Sequence, residues 1–365
     1  MGDFLHNVGL WIAYYWEQLR VWLLDATDPL HKFALMFVVM AAFALVMGGI
    51  LYFVGGSRRM PRWAVLAGFV GPALLALGFG LVYPAVRTMW SSLYDRTSTN
   101  YVGFDNYVQA FTQNEFQLVL RNTLIWVVLV PLLSTGIGLI YAVLVDRTRF
   151  ERVAKTLVFL PMAISMVGAS IIWKFVYDYR AYALNPDGSE QNPQIGLLNQ
   201  MIVWLRRALD GIGIHTGLEP QQILLNAPSN TLFLIIVMVW IQTGFAMTVL
   251  SASIKAIPGD IIEAARLDGL HGVKMFRYIT IPSIRPAMVV VITTIAMATL
   301  KVFDVVRTMT GGNFQTSVVA NEFYTQSFRQ GNTGLGAALA VILFVMVIPI
   351  VFYNVRQMRL SEEIR

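Results

Sequence analysis

Seven stretches of this chain run apolar for about 20 residues or more, the length a helix needs to cross hydrocarbon. They lie at 32–54, 63–84, 122–145, 155–177, 230–254, 286–307 and 335–354. Inside a bilayer no water is present to pair a backbone amide or carbonyl, so such a run must close its hydrogen bonds within itself. The expectation is an all-α polytopic membrane protein with seven spans. Composition agrees, since 56% of the 365 residues are hydrophobic and 13% charged, too little charge to solvate an ordinary domain surface. The absence of cysteine removes a disulfide framework and any thiolate metal site.

The net charge of +6 does not imply nucleic acid, because the cations gather in short links between spans. Arg58, Arg59 and Arg62 follow the first run; Arg147, Arg149, Arg152 and Lys155 follow the third, with Asp146 and Glu151 as the acids among them. The positive-inside rule places these links in the cytoplasm. Alternation then puts 255–285 and the tail with Arg356, Arg359 and Arg365 inside, and 85–121, 178–229 and 308–334 outside. Residues 1–30 carry Trp11, Tyr14, Tyr15, Trp16 and Trp22 with Glu17, Arg20 and Asp25, an aromatic amphipathic segment that lies in the interface or crosses as an eighth span. The start lacks the positive region and the small-residue cleavage site of a signal peptide.

One long polar insert separates two spans in the second half, EAARLDGLHGVKMFRYITIPSIRP at Glu263 to Pro286. Pro258 suits a first helical turn, and Asp260 and Glu263 place negative charge at the positive end of that helix. Ala264, Ala265 and Leu267 keep it compact. Asp268 with Gly269 signals a turn, since glycine accepts positive φ. A second short helix is expected to about Tyr278, with Val273, Phe276 and Ile279 on one face and Lys274, Arg277 and Arg285 on the wet side. Pro282 and Pro286 are expected to end it.

This insert resembles the EAA loop of ABC importer permease subunits. Glu263, Ala264, Ala265, Asp268, Gly269, Phe276, Ile279 and Pro282 meet the motif at its spacing; Leu270 and Ile281 stand where Ala and Leu are usual. The resemblance extends over nearly everything after about residue 65. YVGFDNY at 101, LRNTLIW at 120, LVFLPMAIS at 157, IGLLNQ at 195 and FDVVRTMTGGNF at 303 resemble sugar-importing permeases of the maltose type, and the tail from ANEFYTQSF resembles the alpha-glucoside branch. The resemblance implies a six-helix permease core at 63–365, one or two extra N-terminal helices, and an extra span with a basic link at 31–62. It implies a coupling loop at 257–286 that fits a cleft on an ATP-hydrolysing subunit. Also implied are a second homologous permease subunit, two such ATPase subunits carrying ATP and Mg, an external solute-binding protein, a sugar such as maltose, trehalose or sucrose, and the prokaryotic inner membrane. No cofactor is expected on this chain. The large external insert of the maltose subunit has no counterpart here, so a binding protein would meet the smaller loops.

Polar groups at membrane depth mark a candidate solute path. Thr294, Met297, Lys301 and Asp304 step by three or four and are expected on one helical face, with Trp240, Gln242 and Thr243 on the preceding span. Two readings stand for them. They hydrogen-bond and stack on a sugar, or Lys301 pairs with Asp304 and Trp240 is a packing residue. Tyr177, Asp178 and Tyr179 are further candidates at the outer end of the fourth run. The external loop at 178–229 opens with DYRAYALNPDGSEQNPQ, rich in turn residues, and LLNQMIVWLRRAL reads as a surface helix; the loop is a docking collar or a passive connector.

A membrane enzyme is the rival class. It needs an acid–base pair, a nucleophile with its base or a metal cluster; His6, His31, His215 and His271 are scattered, and no GxxxxGK[ST] phosphate loop occurs. A permease for another small solute is the nearer alternative.

Overall fold

The computed structural model describes residues 17, 18, 21, 29–50, 52, 61–146, 148–180 and 195–363. The aromatic N-terminal segment, except for isolated positions, the link with Arg58 and Arg59, and the turn-rich part of the external loop at 181–194 lie outside them. The chain divides into two units at Val86 and Arg87.

The first unit contains α1 (Pro29–Ile50) and α2 (Arg62–Leu77), continued by a π turn at Gly78–Val82 into α3 (Tyr83–Ser91), within which the unit ends at Val86. The second run is therefore longer than its apolar core, spanning Val65–Ser91.

In the second unit, α4 (Asp105–Thr112) leads to α5 (Asn114–Val145), α6 (Glu151–Phe159) and, past a 3₁₀ turn at Leu160–Ala163, α7 (Met166–Val176). After α8 (Leu197–Gly211), the helix expected from its sequence, come α9 (Ser229–Lys255), α10 (Gly259–Leu267) and α11 (Gly272–Met275). A π turn at Phe276–Thr280 feeds α12 (Ile281–Leu300), followed by α13 (Asp304–Met309), α14 (Val319–Tyr324), a third π turn at Thr325–Arg329 and α15 (Thr333–Glu363). Helices α5, α9, α12 and α15 pack on one another, and the core between them holds Trp126, Leu234, Met238, Met247 and Ile295. Among the described residues six helices are long and apolar enough to cross a membrane, seven if the bent pair α6–α7 counts as one span.

The fourth run is not one straight span. α6 with its 3₁₀ turn meets α7 at 103°. Pro161 withholds an amide from the helix ladder, and Ser165, in extended conformation, restarts it by accepting from the Gly168 amide at 3.1 Å. α9 lies directly against this bend. A Cβ on Gly244 would stand 2.6 Å from the Val158 carbonyl oxygen. Gly138 serves α5 in the same way, where a Cβ would stand 2.7 Å from Ala246 Cβ on α9. Small residues let membrane helices approach at backbone distance.

Candidate coupling loop and solute path

The insert forms as a helical elbow. α10 begins after Pro258 and stops at Leu267, with Asp268 as its cap. Gly269 turns with φ +81°, its amide donating to Arg266 O at 3.0 Å, and the Leu270 amide reaches back to Ala265 O at 2.9 Å. These two bonds satisfy carbonyls that the helix end leaves open, and they need a residue in the left-handed region between them. A Cβ on Gly269 would meet nothing within 4 Å, so backbone conformation alone demands glycine here.

The expected end of the second helix does not occur. α11, the π turn and α12 run on as one helical span, Gly272–Leu300. Pro282 sits in the first turn of α12, and Pro286 lies inside it. Ile281 donates to Phe276 O across the wider π turn, and that extra residue accommodates a ring that would strike a carbonyl in regular α register. The elbow is thus joined to a membrane span without a break.

The apolar residues of the elbow are arranged differently from the expectation. Ala265 is the buried residue of α10, whereas Leu267 is 89% exposed and Val273 80% exposed, the two most open large apolar side chains among the described residues. They flank Gly269. Phe276 and Ile279 are half-buried; Glu263, Ala264, Asp268 and Pro282 are open to solvent. Both side chains are open to contact with another surface.

The candidate solute path changes more. α12 ends at Leu300, Lys301 caps it, and Asp304 opens α13. Thr294 and Met297 therefore share a face, but Lys301 and Asp304 do not continue it. The turn carries Val302, Val305 and Val306 into the core, where α13 packs on α7, and that burial overrides helix continuation. Among the described residues Lys301 and Asp304 form no ion pair; Lys301 is exposed and Asp304 half-buried.

On α9, Trp240 stands edge-to-face on Trp173 of α7, ring centres 5.6 Å apart. Gln242 and Thr243 are buried, and the Thr243 hydroxyl donates to Val239 O at 2.7 Å within its own helix. α9 and α12 are neighbours, so the two candidate sets occupy adjacent helices. No hydrogen bond or ion pair among the described residues joins them.

Two polar networks were not anticipated. At the foot of α9, Lys255 reaches Asp146 at 3.2 Å and also Glu151, while Lys155 reaches Glu151 at 2.7 Å and the Ser251 hydroxyl at 2.5 Å. Asp146 and Glu151 among the cations of these links are the sequence signal for this cluster. At the other end of α9, Asn230 donates to Phe314 O, and Asn122 of α5 to Gln315 O and Ser317 O. Asparagines inside apolar runs were that network's signal.

Residues 134–358 match the family described as binding-protein-dependent transport system inner membrane component. The osmoprotective compounds uptake permease protein GgtC of Synechocystis sp. is 45% identical over 81% of this chain and 100% of its own length. The alpha-glucoside transport system permease protein AglF of Rhizobium meliloti is 46% identical over 79% of this chain and 80% of its own. A solved bacterial ABC transporter involved in the import of the acidic polysaccharide alginate superposes with a TM-score of 0.65 at 20% identity, over 81% of this chain and 95% of that one, a likeness of fold.

Proposed function

Since the chain belongs to the family of binding-protein-dependent transport inner membrane components, and is thus an integral inner-membrane permease subunit of an ABC importer, we propose that its solute is an alpha-glucoside sugar and that α10 and α11 receive the ATPase stroke. The observation that carries the coupling reading is the pair Leu267 and Val273, held open on either side of the Gly269 turn. They supply apolar knobs for a cleft on an ATPase subunit, and Glu263 and Asp268 supply a charged rim. A push on the elbow passes through the π turn into α12 with no loop to absorb it. Binding energy at the elbow then shifts the balance between outward-open and inward-open arrangements.

In this reading the elbow and the foot of α9 face the cytoplasm. The chain works with a second homologous permease subunit, two ATPase subunits that hold ATP and Mg, and an external binding protein. It holds no cofactor itself. Solute passes between α9 and α12, past Trp240, Gln242, Thr294 and Met297, with Lys301 beyond the end of α12 as a free cation for hydroxyl groups.

The alpha-glucoside transport of AglF supports the sugar, as does the trehalose/maltose permease MalF of Thermococcus litoralis, 27% identical over 79% of this chain. The name of GgtC supports a second reading, uptake of osmoprotective compounds. Uptake of labelled maltose, trehalose, sucrose and a non-sugar osmoprotectant, in cells with and without the chain, separates them. Loss of sugar uptake on deletion is expected, with a changed sugar preference in Lys301→Ala. Loss of the osmoprotectant alone would replace the sugar assignment. Leu267→Asp tests coupling: transport is expected to fail while the permease still assembles in the membrane, and normal transport would refute the docking role.

A further inference from the structure

Where α7 ends, Lys174, Tyr177, Asp178 and Tyr179 form one wall of a cavity of about 290 Å³, and Gln222 to Leu225 form the other. Its walls are stapled together. The Asn199 side chain of α8, fully buried, donates to Asp178 O at 2.7 Å and to Gln221 O at 3.2 Å, and it accepts from the Gln221 amide at 2.9 Å. Tyr177 is fixed as well, its hydroxyl donating to Phe233 O at 3.1 Å and its ring standing edge-on to Phe233.

Lys174 and Asp178 are four residues apart, the spacing that pairs opposite charges on a helix. α7 stops at Val176, however, and Asp178 leaves the helical path. Among the described residues neither side chain has an ion-pair or hydrogen-bond partner. The cavity is therefore lined by an unpaired ammonium, an unpaired carboxylate, the Tyr179 phenol and the Gln222 amide, with the buried Tyr177 ring as its floor.

That donor set selects against net charge. An anion meets the Asp178 carboxylate and a cation meets the Lys174 ammonium, whereas a neutral polyhydroxyl ring can donate to one and accept from the other, both as charge-assisted bonds. The volume lies at the small end of ligand pockets and suits one ring. From the floor, Tyr177 touches Trp173 at 5.2 Å between ring centres, and Trp173 touches Trp240 at 5.6 Å, so aromatic side chains connect the cavity to the candidate path.

We propose that this cavity is a sugar subsite, holding one pyranose ring between Lys174 and Asp178 beside the translocation path. The proposal rests on the sugar reading above. Its test uses the complete importer in lipid nanodiscs and proteoliposomes, with labelled maltose, trehalose and sucrose as probes. Direct binding is measured without the binding protein, and uptake with it. Asp178→Asn and Lys174→Gln are expected to weaken sugar binding about tenfold or more, the effect of losing one charged hydrogen bond. Lys174→Arg is expected to retain most of it. Uptake with unchanged binding in both variants would overturn the subsite and leave the sugar reading standing. No uptake of the three sugars by the wild type would overturn both. Weaker capture of the loaded binding protein with normal sugar binding would make the cavity a protein contact, also against the proposal.

Discussion

The amide of Leu270 donates to the carbonyl oxygen of Ala265 at 2.9 Å, and the bond closes because Gly269 between them turns at φ +81°. A β-branched residue in that conformation costs about 1–3 kcal/mol, while asparagine is tolerated. Gly269→Val is expected to cut ATPase stimulation and transport severalfold, and Gly269→Asn to keep most of both. Both are measured in proteoliposomes with the loaded binding protein. Equal activity in the two variants would remove the Gly269 turn from the coupling argument.

The contact of α9 with the bend after α6 gives a stability prediction. The Cβ of Gly244→Ala would lie 2.6 Å from Val158 O and 2.8 Å from Phe159 Cα, both backbone atoms that cannot rotate away. Overpacking of this kind costs about 1–3 kcal/mol. A lower Tm is expected for the purified permease. Gly136→Ala on α5, with nothing within 4 Å of its added methyl, is expected to keep Tm or raise it slightly.

Much of this architecture was legible in the sequence, and the misses share a cause. The spans, the α10 boundaries and the Gly269 turn follow from local chemistry: apolar runs, a proline start and a glycine stop. The end of α12 at Leu300 does not, because no glycine or proline marks it; the chain turns there to bury Val302, Val305 and Val306, a tertiary gain with no local sign. The bend at Ile164 was marked, by Pro161 and Ser165, but the apolar run around it hid the mark. The reading of Pro282 as a terminator failed because a π turn provides room that regular helix lacks. Leu267 reads as a compacting residue of α10, and its exposure shows only in three dimensions.

Asn122 pins a strained loop. Its amide donates to Gln315 O at 2.7 Å and Ser317 O at 3.0 Å, and both Phe314 and Gln315 have positive φ. Asn122→Ala leaves two carbonyls without their donor, an expected loss of about 1–3 kcal/mol. Denaturation of the variant should show it; an unchanged Tm would mean water replaces the amide.

The loop after α3 is expected to resist acid. The Thr99 amide at 2.8 Å, and then the Asn100 side chain at 2.8 Å, hold the Asp95 carboxyl well below the usual carboxylate range. A carboxyl depressed by folding stabilises fully above its unfolded pKa and loses that effect only as pH falls through the lower folded value. Lowering pH from 7 to about 4.5 stays above the ordinary aspartate value of about 3.9 and should leave the loop ordered. Because the chain has no cysteine, a spin label at Ser98→Cys reports this loop alone. Its mobility is expected to be the same at both pH values, and higher at both in Asp95→Asn.

The charges at the foot of α9 supply the last prediction. Glu151 is shared by Lys155 and Lys255, and Asp146 stands in ion-pair range of the same two lysines at 3.9 and 3.2 Å, so one cluster ties the end of α5, the start of α6 and the end of α9. It lies three residues before Pro258, where the elbow begins. Single exposed pairs contribute about 0–1 kcal/mol, and Lys255 is half exposed, so Glu151→Gln should move Tm little. Its effect is expected on coupling instead: with both lysines left to Asp146, α9 is held less firmly to α6 and part of the stroke is lost as relative motion. ATPase stimulation per solute transported should rise in Glu151→Gln, and the wild type should approach that ratio at about 1 M salt, where screening shortens to about 3 Å. A double-mutant cycle of Glu151→Gln with Lys255→Met should give non-additive effects on the transport ratio. Strict additivity would show that the two residues act separately and that the cluster is only a solvated surface.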